Sequence, residues 1–257
     1  MPTITRDGVK LAYEERGRGT PALVFVHGWC CDRTFFAPQA EHFAQRHRVV
    51  SVDLRGHGES AKPRGAYPIA QFADDVAYTI DTLGLGKVVA VGHSMGGATV
   101  LQLAATYPDR VAAIVMVDPA PLRRSPDREV AITMLVEQLD AGKQELQERM
   151  ITEFFFLRKS DPALVARVRD IMLAAPTHVA AAAMRGILSF NGVALAAQVT
   201  APVLHIAATP PLNEPHQMSE WLPGVVNGMT VGAGHFNQLE APAQVTGMIE
   251  GFLRHHV

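Results

Sequence analysis

Gly92-His93-Ser94-Met95-Gly96 constrains this chain more than any other segment, because of what stands on either side of it. Lys87 to Val91 is a short run rich in β-branched residues and reads as a buried strand. Gly97 to Ala104 reads as a helix. A strand, a tight Gly-x-Ser-x-Gly turn and a helix make a nucleophile elbow. Gly92 and Gly96 leave room for the bent backbone and for a close approach of helix to strand. Ser94 then stands at the tip with its hydroxyl exposed. The helix N-terminus behind it favours negative charge developing there.

The flanking sequence supplies a sheet for that turn. Thr3 to Arg6 and Val9 to Glu15, joined at Asp7-Gly8, read as a hairpin. Ala22 to Val26 and Arg48 to Asp53 read as strands, with a helix over 34–46 between them. Ile69 to Leu83 reads as a helix ended by Gly84, and Val111 to Val117 as a further buried strand. Strands alternating with helices imply βαβ units and a mostly parallel sheet flanked by helices, an α/β fold. In such sheets the reactive groups lie beyond the carboxyl ends of the strands. His27, Ser94, Asp118 and His235 all follow predicted strands. From Pro119 to about Thr200 the pattern turns helical, with helices expected near 126–141, 143–157, 162–174 and 177–190. Ser125-Pro126 and Asp161-Pro162 each pair an N-cap with proline at the first helical position. The sheet resumes at Pro202 to Ala207.

Four segments taken together resemble the α/β-hydrolase superfamily. They are His27-Gly28-Trp29 after an apolar strand, Asp53-Leu54-Arg55-Gly56-His57-Gly58-Glu59-Ser60, the Ser94 elbow, and Gly232-Ala233-Gly234-His235-Phe236. They occur in the family's order and spacing, and the resemblance covers nearly the whole chain. It implies a core over residues 1–118 and 201–257, with an all-helical lid over 119–200 inserted after the sixth strand. That segment is apolar, carrying Phe154-Phe155-Phe156, Met134, Met150, Met172 and Met184. These side chains either pack the lid onto the core or line an apolar substrate pocket, where Met packs adaptably.

A serine hydroxyl is a poor nucleophile until a base takes its proton. His235 matches the family's catalytic histidine and is the candidate base. A tetrahedral oxyanion needs two fixed N–H donors. The resemblance assigns them to the backbones of Met95, after the nucleophile, and Trp29, after His27-Gly28. The acid is the irregular feature. Most relatives carry an Asp after the strand equivalent to Val203–Ala207, but here that loop reads Ala208-Thr209-Pro210-Pro211-Leu212-Asn213-Glu214. Asp118, in Val117-Asp118-Pro119, follows the preceding strand, where some branches place the triad acid. Asp118 is therefore the expected partner of His235, with Glu214 as the alternative and a bracing role as the bland reading of Asp118. A carboxylate facing His235 would fix its tautomer and stabilise the imidazolium. His27, Asp53, Arg55, His57, His93 and Glu240 are read as bracing or packing residues. The Trp29 side chain either walls the pocket or fills space.

At 257 residues with 48% hydrophobic content, the chain is long enough for one large core. A formal net charge of −2 gives no electrostatic case for nucleic acid or an acidic membrane. No run approaches a membrane span, and no signal-like apolar region opens the sequence. Cys30 and Cys31 are adjacent, unlike an ordinary structural pair, which suits a reducing cytoplasm. No histidine spacing suggests a metal site, and no glycine-rich loop suggests a nucleotide, so no cofactor is expected.

The leading expectation is a serine hydrolase acting on a small to medium, partly apolar ester, with a small-molecule substrate as its partner. Lactones, thioesters and carbon–carbon bonds suit the same apparatus, and peracid chemistry is a conceivable side activity. The chain is also similar to cofactor-independent dioxygenases that cleave N-heteroaromatic rings on this fold, sharing His27-Gly28-Trp29-Cys30 and Asp118. In that group a His follows the nucleophile and another lies just past the Trp-Cys pair. Here Met95 and Cys31 stand there. A non-catalytic receptor on this fold is the third reading. Serine at position 94 excludes the covalent mechanism of dehalogenases and epoxide hydrolases, which needs Asp.

Overall fold

A computed structural model describes all 257 residues. Its strands are β1 (Thr3–Arg6), β2 (Val9–Arg16), β3 (Ala22–Val26), β4 (Val49–Val52), β5 (Val88–His93), β6 (Val111–Val117), β7 (Val203–Ala207) and β8 (Val226–Met229). They form one sheet in the order β1-β2-β4-β3-β5-β6-β7-β8. β2 runs antiparallel to both its neighbours, and every other pairing is parallel. The β1–β2 hairpin turns on Asp7 and Gly8, both at positive φ as a two-residue hairpin requires.

The helices are α1 (Ala37–Phe43), α2 (Ile69–Thr82), α3 (Met95–Thr106), α4 (Pro126–Asp140), α5 (Glu145–Arg149), α6 (Pro162–Leu173), α7 (Thr177–Ser189), α8 (Gly192–Ala196), α9 (Pro215–Trp221), α10 (Asn237–Glu240) and α11 (Pro242–His256). They make this a mostly parallel α/β sheet flanked by helices on both faces. The sheet residues divide by parity, as strand geometry demands. Val24, Val26, Ala90, Ile114 and Met116 join the larger core with α2, α3 and the helices between β6 and β7. Leu23, Phe25, Val89, Val91, Val115 and Val117 face α1 and α11. α2 shows why it docks: Ile69, Phe72, Ala73, Val76 and Ile80 recur at three- and four-residue spacing and are all buried.

Two expected helices are cut short. The segment over 34–46 opens as a 3₁₀ turn, Arg33–Phe36, because Asp32 accepts from the Thr34 N–H at 2.8 Å and caps it. Only Ala37–Phe43 then continues as α-helix. The segment over 143–157 is α-helical only to Arg149 and loosens into a π-helical turn, Met150–Phe154. Such turns concentrate at functional sites. α8, α10 and α11 were not expected. α11 follows the usual terminal chemistry, with Pro242 in its first turn and Arg254, His255 and His256 in its last.

The helical segment between β6 and β7 is tied to the sheet at several points. Arg124 donates to the carbonyls of Leu188 and Phe190 and so closes the segment on itself. The Trp29 indole N–H, from the loop after β3, donates to the Ala180 carbonyl in α7 at 2.9 Å. Ser160 donates to Glu240 at 2.5 Å, and the other Glu240 oxygen accepts from the Gly234 N–H. Burial holds the Glu240 carboxyl above its ordinary value, against the opposing pull of those two hydrogen bonds. Gly186 lets α7 lie directly on the chain before α2, for a Cβ there would stand 2.1 Å from the Tyr67 carbonyl oxygen.

Two outcomes follow. Gly186→Ala should lower the unfolding free energy read from a urea titration by about 1–3 kcal/mol, through overpacking. Gly247→Ala, facing open space in α11, should raise it by about 0.5–1 kcal/mol. Glu240→Gln can accept from Gly234 and donate to Ser160, so it should match wild-type stability below the Glu240 pKa and exceed it above. Because the Glu240 pKa is raised on folding, ionisation disfavours the folded state, and wild-type stability should fall as pH rises through that pKa. The Gln variant should lack this component. Glu240→Ala strands the Gly234 N–H and should lose about 1–3 kcal/mol in the same titration.

Candidate active site

Ser94 caps β5 and opens α3 at φ 54° and ψ −116°, a conformation that a side-chain-bearing residue adopts only under constraint. Three glycines impose it. A Cβ on Gly92 would fall 2.1 Å from the Gly96 carbonyl oxygen, and one on Gly96 would fall 2.1 Å from that of Val26. A Cβ on Gly97 would strike Pro119. The Ser94 N–H donates to the Val117 carbonyl, and the Ser94 carbonyl accepts from Ala120, so the turn is locked to the end of β6. Met95 is the first helical residue, and its N–H has no intrahelical acceptor.

Asp118 lies beyond β6, wholly buried and at φ 35°, a second constrained position. His235 Nδ1 donates to Asp118 Oδ2 at 2.6 Å. The other carboxylate oxygen accepts from the N–H groups of Leu212 at 3.1 Å and Ala208 at 3.3 Å, on the loop after β7. That loop, which lacks its own carboxylate, thus steadies Asp118 instead. Glu214, the alternative acid, is exposed at the N-cap of α9 and makes no side-chain bond to His235. The His235 ring is held from two sides. The His235 backbone N–H donates to the Phe155 carbonyl at 2.8 Å, while the Phe155 and His93 rings each lie 4.6 Å from the imidazole, centroid to centroid.

The loop after β3 reaches the same place. Gly28 passes so close to the elbow that a Cβ would come 3.2 Å from Ser94 Cβ. The next residue, Trp29, has a backbone N–H that donates to no other backbone carbonyl. Cys30 follows at φ 55°. His27 braces this loop, donating from Nδ1 to the Gly28 carbonyl and accepting at Nε2 from Leu54 N–H. Asp53 accepts from the backbone of Arg33 and Glu59 and from the Arg33 guanidinium. Arg55 pairs with Asp75. His57 donates to the Arg55 carbonyl, and burial, followed by the neighbouring His27, pushes its pKa down to about 3. His93 donates from Nε2 to the His235 carbonyl, and burial holds it well below the usual histidine range. All five are bracing or packing residues, as the sequence suggests.

Ser94 and His235 open onto one cavity of about 500 Å³, walled mainly by apolar side chains of the helical segment. Ile132, Leu135, Met150, Phe155, Met172 and Met184 contribute. Met134, by contrast, is exposed on the outer side of α4, and Phe156 packs against Phe236. The apolar residues of this segment therefore serve both purposes left open by the sequence. The Trp29 side chain likewise lines the cavity and carries α7. Cys31 lines it too, donating to the Trp29 carbonyl, with its thiol pushed up by burial.

Four contributors escaped the sequence. Asn213 accepts from Leu122 N–H and donates to the Pro119 carbonyl, stitching the β7 loop to the chain after Asp118. Nothing in a single sequence marks it. The Phe155 carbonyl is equally silent, since any residue has one. Arg128 and Arg149 reach the cavity wall, and Arg128 was detectable, because a cation in a helix's first turn opposes the helix dipole.

Residues 21–242 match the family model described as alpha/beta hydrolase fold. The chain is 32% identical over 163 residues to a 2-(acetamidomethylene)succinate hydrolase of Mesorhizobium japonicum, covering 63% of this chain and 57% of that one. It is 38% identical over 120 residues to a bifunctional esterase/perhydrolase of Acinetobacter calcoaceticus, covering 46% and 44%. The matched stretches thus span about half the length of these curated relatives. A thermophilic esterase from Thermogutta terrifontis superposes with a TM-score of 0.89 at 28% identity, over 99% of this chain and 97% of that one. With a family match over most of its length and the sheet order and elbow described above, this chain belongs to the α/β-hydrolase family.

Proposed function

We propose that this chain is a serine hydrolase that cleaves a small to medium, partly apolar carboxylic ester through an acyl-enzyme on Ser94. The observation that carries this reading is the 2.6 Å hydrogen bond from His235 to buried Asp118, beside a strained serine on the wall of one apolar cavity. With its Nδ1–H donated to the Asp118 carboxylate, His235 presents the Nε2 lone pair to the Ser94 hydroxyl. Ser94 Oγ attacks the ester carbonyl as His235 takes its proton. The N–H groups of Trp29 and Met95 receive the oxyanion, and the N-terminus of α3 adds its dipole. The tetrahedral intermediate collapses, the C–O bond breaks, and the leaving alkoxide takes the proton from His235. Water, deprotonated by the same imidazole, then attacks the acyl-serine and releases the acid.

Residues 1–118 and 201–257 are the catalytic core in this reading, and 119–200 are the lid whose inner face sizes the acyl group. Esterase activity is named in two of the similar proteins, which favours an ester over the carbon–carbon and oxygen-dependent chemistries of this fold. The same steps open a lactone.

Turnover of p-nitrophenyl esters from acetate to laurate tests this. Ser94→Ala should lower kcat by on the order of 10⁶-fold. Asp118→Asn should lower it about 10⁴-fold with little change in KM. Glu214→Gln should retain activity, and a loss there with Asp118→Asn unharmed would move the acid to Glu214. Oxygen uptake that survives Ser94→Ala but not His235→Ala would replace ester cleavage with proton abstraction from an aromatic substrate.

A further inference from the structure

The cavity beside Ser94 carries an unbalanced charge. Its wall holds two arginines, Arg128 and Arg149, and no aspartate or glutamate. Everything else lining it is apolar, small or neutral save for His93 and His235. Arg149 has a carboxylate neighbour, Glu153, at 3.3 Å on the exposed side. Arg128 forms no ion pair with any carboxylate. One of its N–H groups donates to the Leu212 carbonyl at 3.1 Å, leaving four of the guanidinium's five for another acceptor. That single bond also fixes its position, because Leu212 lines the cavity and its own N–H holds Asp118.

The placement is not one that helix stability would select. Arg128 sits in the first turn of α4, three residues after the Ser125 cap, where the dipole disfavours a cation. Its neighbours Asp127 and Glu129 follow the ordinary acidic preference. Arg128 is solvent-exposed where it meets the cavity, and its unpaired, planar guanidinium offers a bidentate acceptor charge-assisted hydrogen bonds there.

We infer that Arg128, aided by the field of Arg149, is a specificity-determining residue that binds a carboxylate on the substrate. The substrate class is then an ester or lactone with an apolar middle and an acid group remote from the scissile carbonyl. This deepens the hydrolase reading and rests on it for turnover, though carboxylate binding stands without it.

Two measurements separate these. In the first, hexanoate and hexanamide are added to the resting protein and its melting temperature is followed. Hexanoate should stabilise the wild type more than hexanamide does, with the difference shrinking as salt is added and disappearing in Arg128→Gln. Equal shifts by both ligands, or a difference that persists in Arg128→Gln, overturn the inference whether or not any ester is cleaved. In the second, monomethyl adipate and methyl hexanoate are compared by pH-stat. The ratio of their kcat/KM values should favour the acid ester by at least about tenfold, fall to near one in Arg128→Gln through KM, and partly return in Arg128→Lys. A ratio of one in the wild type overturns it. Absence of turnover for both esters defeats the hydrolase reading and leaves the melting experiment to decide on the carboxylate.

Discussion

The structure depends on a crossing of backbones that only glycine permits. β5 must end, reverse and start α3 within the width of one residue, while the end of β3 passes beneath. Gly92 and Gly96 each stand where a single carbon would lie 2.1 Å from a carbonyl oxygen. Because that crossing is closed on all sides, Ser94 has no relaxed alternative and stays in its strained turn. The register of β3, β5 and β6 then fixes the rest: Val26 lies opposite Gly92, and His93 opposite Val117, so the next residues of all three strands emerge together. Trp29, Ser94 and Asp118 are neighbours for that reason, despite their separation in sequence.

Much of this was legible. Strands and glycines announce themselves locally, and the elbow is local by nature. The order of the strands was legible as a class, since hydrophobic runs buried on both faces belong to parallel sheets. Asp118 entered through the resemblance, some branches of which place an acid after the preceding strand, and its hydrogen bond with His235 is what the structure adds. The failures are those of residues whose role is made at a distance. Phe155 acts through a carbonyl that every residue shares, and Asn213 through an amide that joins two loops 90 residues apart. α11 went unread although its caps and apolar spacing are ordinary. The helix over 143–157 was read too long, because periodicity does not distinguish α from π winding within a turn.

The buried histidines show how polar side chains are afforded inside such a core. His27, His57 and His93 each give one ring nitrogen to a backbone carbonyl, and all are pushed toward the neutral form by burial. Neutral, they act as rigid spacers between loops rather than as charges. His235 differs in having a carboxylate rather than a carbonyl on Nδ1. Four histidines near one site are thus sorted by what their Nδ1 or Nε2 meets, which is geometry and not sequence.

The bonds from the helical segment to the sheet have a consequence for how such a protein can diversify. Trp29 to Ala180, His235 to Phe155, and Ser160 to Glu240 join the segment that shapes the pocket to the loops that carry Trp29 and His235. Two of the three use a backbone carbonyl of the segment, so most pocket-lining side chains can change while its path cannot. Point changes at the cavity-lining positions of residues 119–200 can therefore resculpt the pocket while these ties stay in place. A transplanted segment of another length would arrive with its carbonyls out of place. Drift by substitution, rather than exchange of whole modules, is the route this architecture leaves open.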